Sequence, residues 1–139
     1  MSKSRLKPKI YTVATAHLDT SWHWDIETSI REYLPATCEK NFELFEKYPE
    51  YIFNFEGAYR YELIEEYYPE HFMRLSEYVK AGRWYPAGSA YENGDTNIPS
   101  PEALFRNILY GSDYFTRKFG TQQHELFLPD CFGFSYALP

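Results

Sequence analysis

The sequence of 139 residues has only two cysteines, Cys38 and Cys131, and therefore no disulfide framework of the kind that holds small secreted domains together. It is also poor in basic residues: 14 Lys and Arg stand against 20 Asp and Glu, and the formal net charge at pH 7 is −6. An acidic chain without a basic cluster argues against nucleic acid and against an anionic membrane surface as partners.

Long apolar runs are missing as well. The run that follows the basic N-terminus is short and is interrupted by His17 and Asp19, so it makes a poor signal peptide and cannot be a transmembrane helix. Together with the absence of a disulfide framework, this predicts a reducing, cytoplasmic location. The sequence contains no internal repeat and no low-complexity segment.

Hydrophobic patterning predicts a polar N-terminal tail over residues 1–9 and an α/β unit over residues 10–139. Four strands are expected, at residues 10–16, 51–55, 84–90 and 125–128. Helices are expected between them, at residues 35–48, 58–68 and 70–81, with a longer one whose N-cap is Ser100 and whose end is Gly120. This alternation predicts a mostly parallel sheet of about four strands. Because the sequence stops just after the fourth strand, we expect it to be part of a longer protein.

A His-x-Asp pair follows the first predicted strand. His17 and Asp19 are two residues apart, and side chains at this spacing in an extended chain point to the same side. Zinc accepts nitrogen and oxygen ligands of these two types. The alternative is that His17 caps the next helix or hydrogen-bonds to Asp19, since a zinc site needs about three protein ligands.

Further carboxylates follow other predicted strands. Asp130 comes after the fourth strand, and the carboxyl ends of parallel strands share one edge of a sheet, so Asp130 is expected on the same edge as the His-x-Asp pair. Asp95 lies in a loop on that edge and is a candidate substrate-binding residue. Glu56 ends the second strand there and is interpreted as a solvated carboxylate.

Three motifs, in the same order, resemble those of the α-mannosidases of glycoside hydrolase family 38. The stretch HLDTSW, beginning at His17, is similar to the family's amino-terminal zinc motif. PDCFGFS, which contains Asp130, is similar to its nucleophile motif. Between them, DTNIPS with Glu102, Leu104, Arg106 and Gly111 is similar to the family's stretch before its third long helix.

The resemblance implies a role for each matching residue. His17 and Asp19 match zinc ligands, and Asp130 matches a residue that both binds the zinc and attacks the sugar. Trp22 and Phe132 match aromatic groups that line the pocket for a terminal mannose. The implied fold is a partial (β/α)7-type barrel, shared with some polysaccharide deacetylases, and the implied cofactor is Zn²⁺.

The resemblance also implies an activity, which is the retaining hydrolysis of terminal α-mannosyl residues from oligosaccharides or glycoconjugates. The family's fourth zinc ligand, a His, and its acid/base carboxylate lie beyond the matching nucleophile motif. The 139 residues alone are therefore expected to bind zinc weakly and to be inactive. Two alternatives stay open: a zinc-dependent polysaccharide deacetylase-like hydrolase, and a truncated, non-catalytic carbohydrate-binding domain.

Overall fold

A computed structural model describes residues 8–121 and 123–136. Most of the predicted polar tail, residues 1–7, therefore lies outside the described part of the chain. The elements follow in the order β1 (Ala14–Ala16), α1 (Ile26–Thr28), a π-helical turn (Ser29–Tyr33), α2 (Leu34–Lys47), β2 (Phe53–Glu56), α3 (Ala58–Tyr67), α4 (Pro69–Lys80), β3 (Trp84–Ala87) and α5 (Pro101–Phe119).

The three strands form one parallel sheet in the order β1-β2-β3. Ala16 of β1 is paired with Phe55 of β2, and Phe55 is paired with Pro86 of β3. The α/β class, the parallel pairing and the first three strands are as expected from the sequence. The register places the carboxyl ends of all three strands at one edge, where His17 follows β1 directly.

The prediction of a fourth strand at residues 125–128 is wrong, since these residues are described and do not pair with the sheet. A strand needs backbone-to-backbone hydrogen bonds with a neighbour. This segment is held by side chains instead: the Ser89 hydroxyl donates to the carbonyl oxygen of Glu125 (2.8 Å), and the carboxylate of Glu125 accepts from the backbone N–H of Gly88 (3.3 Å). The three strands of the described chain are too few to close a barrel.

Local signals in the sequence account for the ends of α5. Ser100 accepts a hydrogen bond from the backbone N–H of Ala103 (3.2 Å), which satisfies one of the unpaired donors at the start of the helix. Pro101 occupies the first turn, and the helix ends at Gly120. The predicted cap and stop of this helix are therefore confirmed.

Aromatic side chains fill the core between the sheet and the helices. The buried members of this cluster include Phe42, Phe45, Phe53, Phe55, Tyr61, Trp84, Tyr114 and Phe115. Trp84 donates its indole N–H to the Tyr61 hydroxyl (2.9 Å), which in turn donates to the carbonyl oxygen of Phe55 (2.7 Å). Burial of one such ring stabilises the fold by about 1.5–3 kcal/mol, and here the polar atoms of both amphipathic rings are also paired. This core packs against β2 and β3, which form the sheet with the strand that His17 follows.

Candidate metal centre

His17 presents its two ring nitrogens to different surroundings. Its Nδ1 is hydrogen-bonded to the carboxylate of Glu56, the last residue of β2. Its Nε2 lies 3.4 Å from Oδ1 of Asp19 and 3.4 Å from Oδ2 of Asp130. An ionised carboxylate only accepts hydrogen bonds, so Nδ1 is the donor in this contact, and Nε2 is the ring nitrogen that faces the two aspartates.

The loop that carries Asp19 is hydrogen-bonded to the π-helical turn. Ser29, at the start of that turn, is buried and donates its hydroxyl to the carbonyl oxygen of Thr20 (2.8 Å). The same hydroxyl accepts from the indole N–H of Trp24 (2.7 Å). Asp25 closes the loop as the N-cap of α1, accepting from the N–H of Thr28 (2.8 Å). Trp24 and Asp25 therefore have local structural roles in this loop.

Asp130 reaches the same point from the opposite end of the chain. It lies in a turn after the unpaired segment, and the residues that follow it are bonded to the loop after β3. The thiol of Cys131 donates to the carbonyl oxygen of Gly94 (3.2 Å), and the hydroxyl of Thr96 donates to that of Gly133 (3.2 Å). These contacts replace the missing strand in bringing Asp130 to the sheet edge predicted for it.

The donor set suits a zinc ion. One atom each from His17, Asp19 and Asp130 lies within 4.8 Å of the other two. Two zinc bonds of about 2.1 Å at a tetrahedral angle separate their ligand atoms by about 3.4 Å, which is the distance from Nε2 to each carboxylate oxygen. One imidazole nitrogen and two carboxylate oxygens are ligand types that zinc prefers. Three atoms with lone pairs facing one point favour a cation between them.

A cavity of about 440 Å³ opens directly over these atoms. It is lined by His17, Asp19, Trp22, Asn93, Gly94, Asp95, Asp130 and Phe132. The structure thus brings all six residues singled out in the sequence to one cavity; their roles stay predictions. Trp22 and Phe132 are 64% and 81% exposed, so their rings have open faces for a ligand.

Asp95 has a structural role that its position in the sequence did not reveal. Its carboxylate accepts from the backbone N–H groups of Asn97 (2.7 Å) and Ile98 (3.1 Å), which is an Asx-type turn. The side chain therefore shapes the loop over the cavity. Its predicted contact with a substrate remains a prediction.

The interpretation of Glu56 as a solvated carboxylate is wrong, because only 3% of this residue is exposed. Burial raises the pKa of its carboxyl group, while the His17 hydrogen bond and the nearby charge of Arg60 act in the opposite direction. Asn93 bridges the two charged groups: in the amide orientation that satisfies its partners, it donates to Glu56 (3.0 Å) and accepts from Arg60 (2.7 Å). No local sequence signal identifies this cluster, because His17 lies 39 residues before Glu56.

In the described chain, no helix combines the length and the apolar composition that a membrane span requires. Both cysteines are free thiols, Cys38 buried and Cys131 half-buried.

Comparison with known proteins gives consistent similarities. The chain is 33% identical to "Alpha-mannosidase G" of Dictyostelium discoideum over 136 residues and 33% identical to "Alpha-mannosidase 2C1" of Homo sapiens over 134 residues. It is 29% identical to "Alpha-mannosidase" of Saccharomyces cerevisiae over 138 residues. These matches cover 98%, 94% and 99% of this chain, but only 12%, 12% and 13% of the respective relatives.

The family profile described as "Glycosyl hydrolases family 38 N-terminal domain" matches residues 7–139, which is nearly the whole chain. The resemblance inferred from three short motifs is thereby confirmed over the sequence between them as well. The chain belongs to glycosyl hydrolase family 38 and corresponds to part of the N-terminal domain of that family.

Proposed function

We propose that this chain supplies the first zinc ligands and the nucleophile of a retaining α-mannosidase. The observation that carries the proposal is the convergence of His17, Asp19 and Asp130 on one point beneath a cavity with exposed aromatic walls. Since the chain spans about an eighth of the length of its relatives, the activity proposed is that of the full-length protein. Its substrates would be terminal α-mannosyl residues of oligosaccharides or glycoconjugates.

Each of the three ligands would offer one atom to the metal: Nε2 of His17, Oδ1 of Asp19 and Oδ2 of Asp130. When bound, the zinc ion would hold the axial 2-hydroxyl and the adjacent 3-hydroxyl of mannose and so orient the sugar ring. The aromatic faces of Trp22 and Phe132 would pack against the apolar face of the same ring. Asp95 would receive hydrogen bonds from sugar hydroxyls at the rim of the cavity.

Asp130 would do the covalent chemistry. Its Oδ2 faces His17, which leaves Oδ1 for attack on the anomeric carbon. The new bond from Oδ1 to that carbon forms while the glycosidic C–O bond breaks, and a carboxylic acid about 5–5.5 Å away protonates the departing oxygen. The same acid, now a carboxylate, then activates a water molecule that hydrolyses the glycosyl ester. We place this acid/base and a further histidine ligand in the sequence that follows Pro139.

The three-stranded sheet is proposed to be the beginning of a seven-stranded β/α barrel, with residues 10–139 as its N-terminal portion and residues 1–9 as a polar tail. The cytoplasmic location stays a prediction, supported by the two unpaired thiols.

The test uses the full-length polypeptide and a 2-deoxy-2-fluoro mannosyl donor with a good leaving group, which accumulates the glycosyl ester. Mass spectrometry is expected to find the label on Asp130, and Asp130→Asn is expected to lower the hydrolysis of an aryl α-mannoside by roughly 10³-fold or more. Labelling of another residue would overturn the nucleophile assignment.

Two other outcomes correspond to the alternative functions. Release of acetate from an acetylated polysaccharide, without any covalent label, would replace the proposal with a zinc-dependent deacetylase in which the metal activates water. Mannose binding by a full-length protein that cleaves neither substrate would identify a carbohydrate-binding domain.

A further inference from the structure

A buried acid stands behind the proposed metal ligand His17. Glu56 is at the carboxyl end of β2, and its side chain is almost entirely removed from water. An ionised carboxylate at such a position is costly unless charged or hydrogen-bonding groups compensate it. One compensating contact is Nδ1 of His17, which lies 39 residues earlier in the sequence.

The contact with Glu56 decides which nitrogen of His17 faces the two aspartates. A proton held at Nδ1 by the carboxylate leaves the lone pair at Nε2, on the side of Asp19 and Asp130. A carboxylate that accepts from the outer nitrogen of a histidine ligand fixes the ring orientation and makes the inner nitrogen a stronger donor to a metal. Glu56 occupies that position for His17.

Arg60 is linked to Glu56 through Asn93 and also bonds to the backbone of the ligand loop. This residue is only 1% exposed, and its Nε donates to the carbonyl oxygen of Leu18, between the two ligands of the His-x-Asp pair. Its Nη2 lies 2.8 Å from Oε1 of Glu92, whose carboxylate also accepts from the Thr20 hydroxyl. The charge of Arg60 therefore compensates two acids while its hydrogen bonds hold the loop in place.

We propose that Glu56 is the positioning residue of the metal centre and orients His17 so that Nε2 faces the cation. Asn93 holds Glu56 in place, and Arg60 holds the Leu18 carbonyl. This inference rests on the proposed zinc site. Glu56 and Arg60 contact neither the substrate nor the metal in the proposed mechanism. Asn93 is the member of the cluster that lines the cavity.

The test measures the zinc dissociation constant of the full-length protein by competition with a chromophoric chelator. Glu56→Gln keeps the size of the side chain and removes its charge, and it is expected to weaken zinc binding about 10–100-fold. The matched control is Glu62→Gln on α3. The Glu62 carboxylate accepts a hydrogen bond from the Tyr91 hydroxyl and is not bonded to His17. The control is expected to bind zinc as the wild type does.

The outcomes separate the two proposals. A wild-type protein that takes up no zinc would refute the proposed metal site itself. Zinc binding that depends on His17 but is unchanged in Glu56→Gln, even with a lowered unfolding temperature, would show that Glu56 is merely structural and would overturn this inference. If Glu56→Gln does not fold, Asn93→Ala decides: weaker zinc binding supports the inference, and unchanged binding overturns it.

Discussion

The substitution Gly111→Ala tests whether α5 holds the loop that forms the cavity wall. Gly111 is buried on the face of α5 that meets residues 89–91. A Cβ atom at this position would lie 2.2 Å from the carbonyl oxygen of Ser89, 2.3 Å from the carbonyl carbon of Ala90 and 2.5 Å from the backbone nitrogen of Tyr91. Ordinary contacts between such atoms are about 3.5 Å, so helix and loop must separate by about 1 Å.

The size of the effect follows from two opposing contributions. Replacing glycine by alanine inside a helix favours the helix by about 0.5–1 kcal/mol. Overpacking costs about 1–3 kcal/mol, and the upper end applies here because all three clashing atoms belong to the backbone. The net expectation is a local destabilisation of about 2 kcal/mol, which corresponds to roughly a thirtyfold increase in the local opening equilibrium.

Hydrogen exchange read by mass spectrometry measures this opening in the full-length protein. The reporting amides are those of Ala58, which donates to Ala90 (3.1 Å), of Tyr59, which donates to Tyr91 (2.8 Å), and of Tyr91 itself, which donates to Asn107 (2.8 Å). Their exchange is expected to accelerate by about thirtyfold in Gly111→Ala.

The control is Thr116→Ala on an exposed face of the same helix, which is expected to leave these amides as protected as in the wild type. Equal protection in Gly111→Ala and wild type would refute the close approach of α5 and the loop.

Two further predictions concern the ligand and the thiols. His17→Ala in the full-length protein is expected to remove bound zinc and mannosidase activity together, while the exposed His124→Ala retains both; activity at the wild-type level without His17 would refute the metal assignment. Burial raises the pKa of the Cys38 thiol to about 12, so iodoacetamide at pH 8 should alkylate Cys131 and spare Cys38 until the protein unfolds. Labelling of both thiols at equal rates would contradict the burial of Cys38. Because the pKa of Cys38 in the folded protein is raised from 9.0, the contribution of this thiol to stability is complete below about pH 9 and is lost as the pH rises toward 12.

The errors of the sequence-based prediction share one physical origin. Residues 125–128 have a strand-like composition, yet whether they pair depends on the end of β3, almost 40 residues earlier. Glu56 looks like any carboxylate at the end of a strand, and only the position of His17, 39 residues earlier, makes it a paired group. In both cases the deciding partner is distant in sequence, and no local pattern records it.

By itself, the sequence determined helices α2 to α5, the cap and the end of α5, the first three strands and the edge of the sheet at which His17, Asp19 and Asp130 would meet. Helical periodicity and caps act over three or four residues, and parallel strands share an edge whatever their side chains are, so these features can be recognised without coordinates. Only the tertiary structure decided that His17 turns Nδ1 to Glu56 and Nε2 to the aspartates. The orientation of the His17 ring depends on charged groups from separate segments of the chain. The interactions that fix this orientation form only when those segments are packed together.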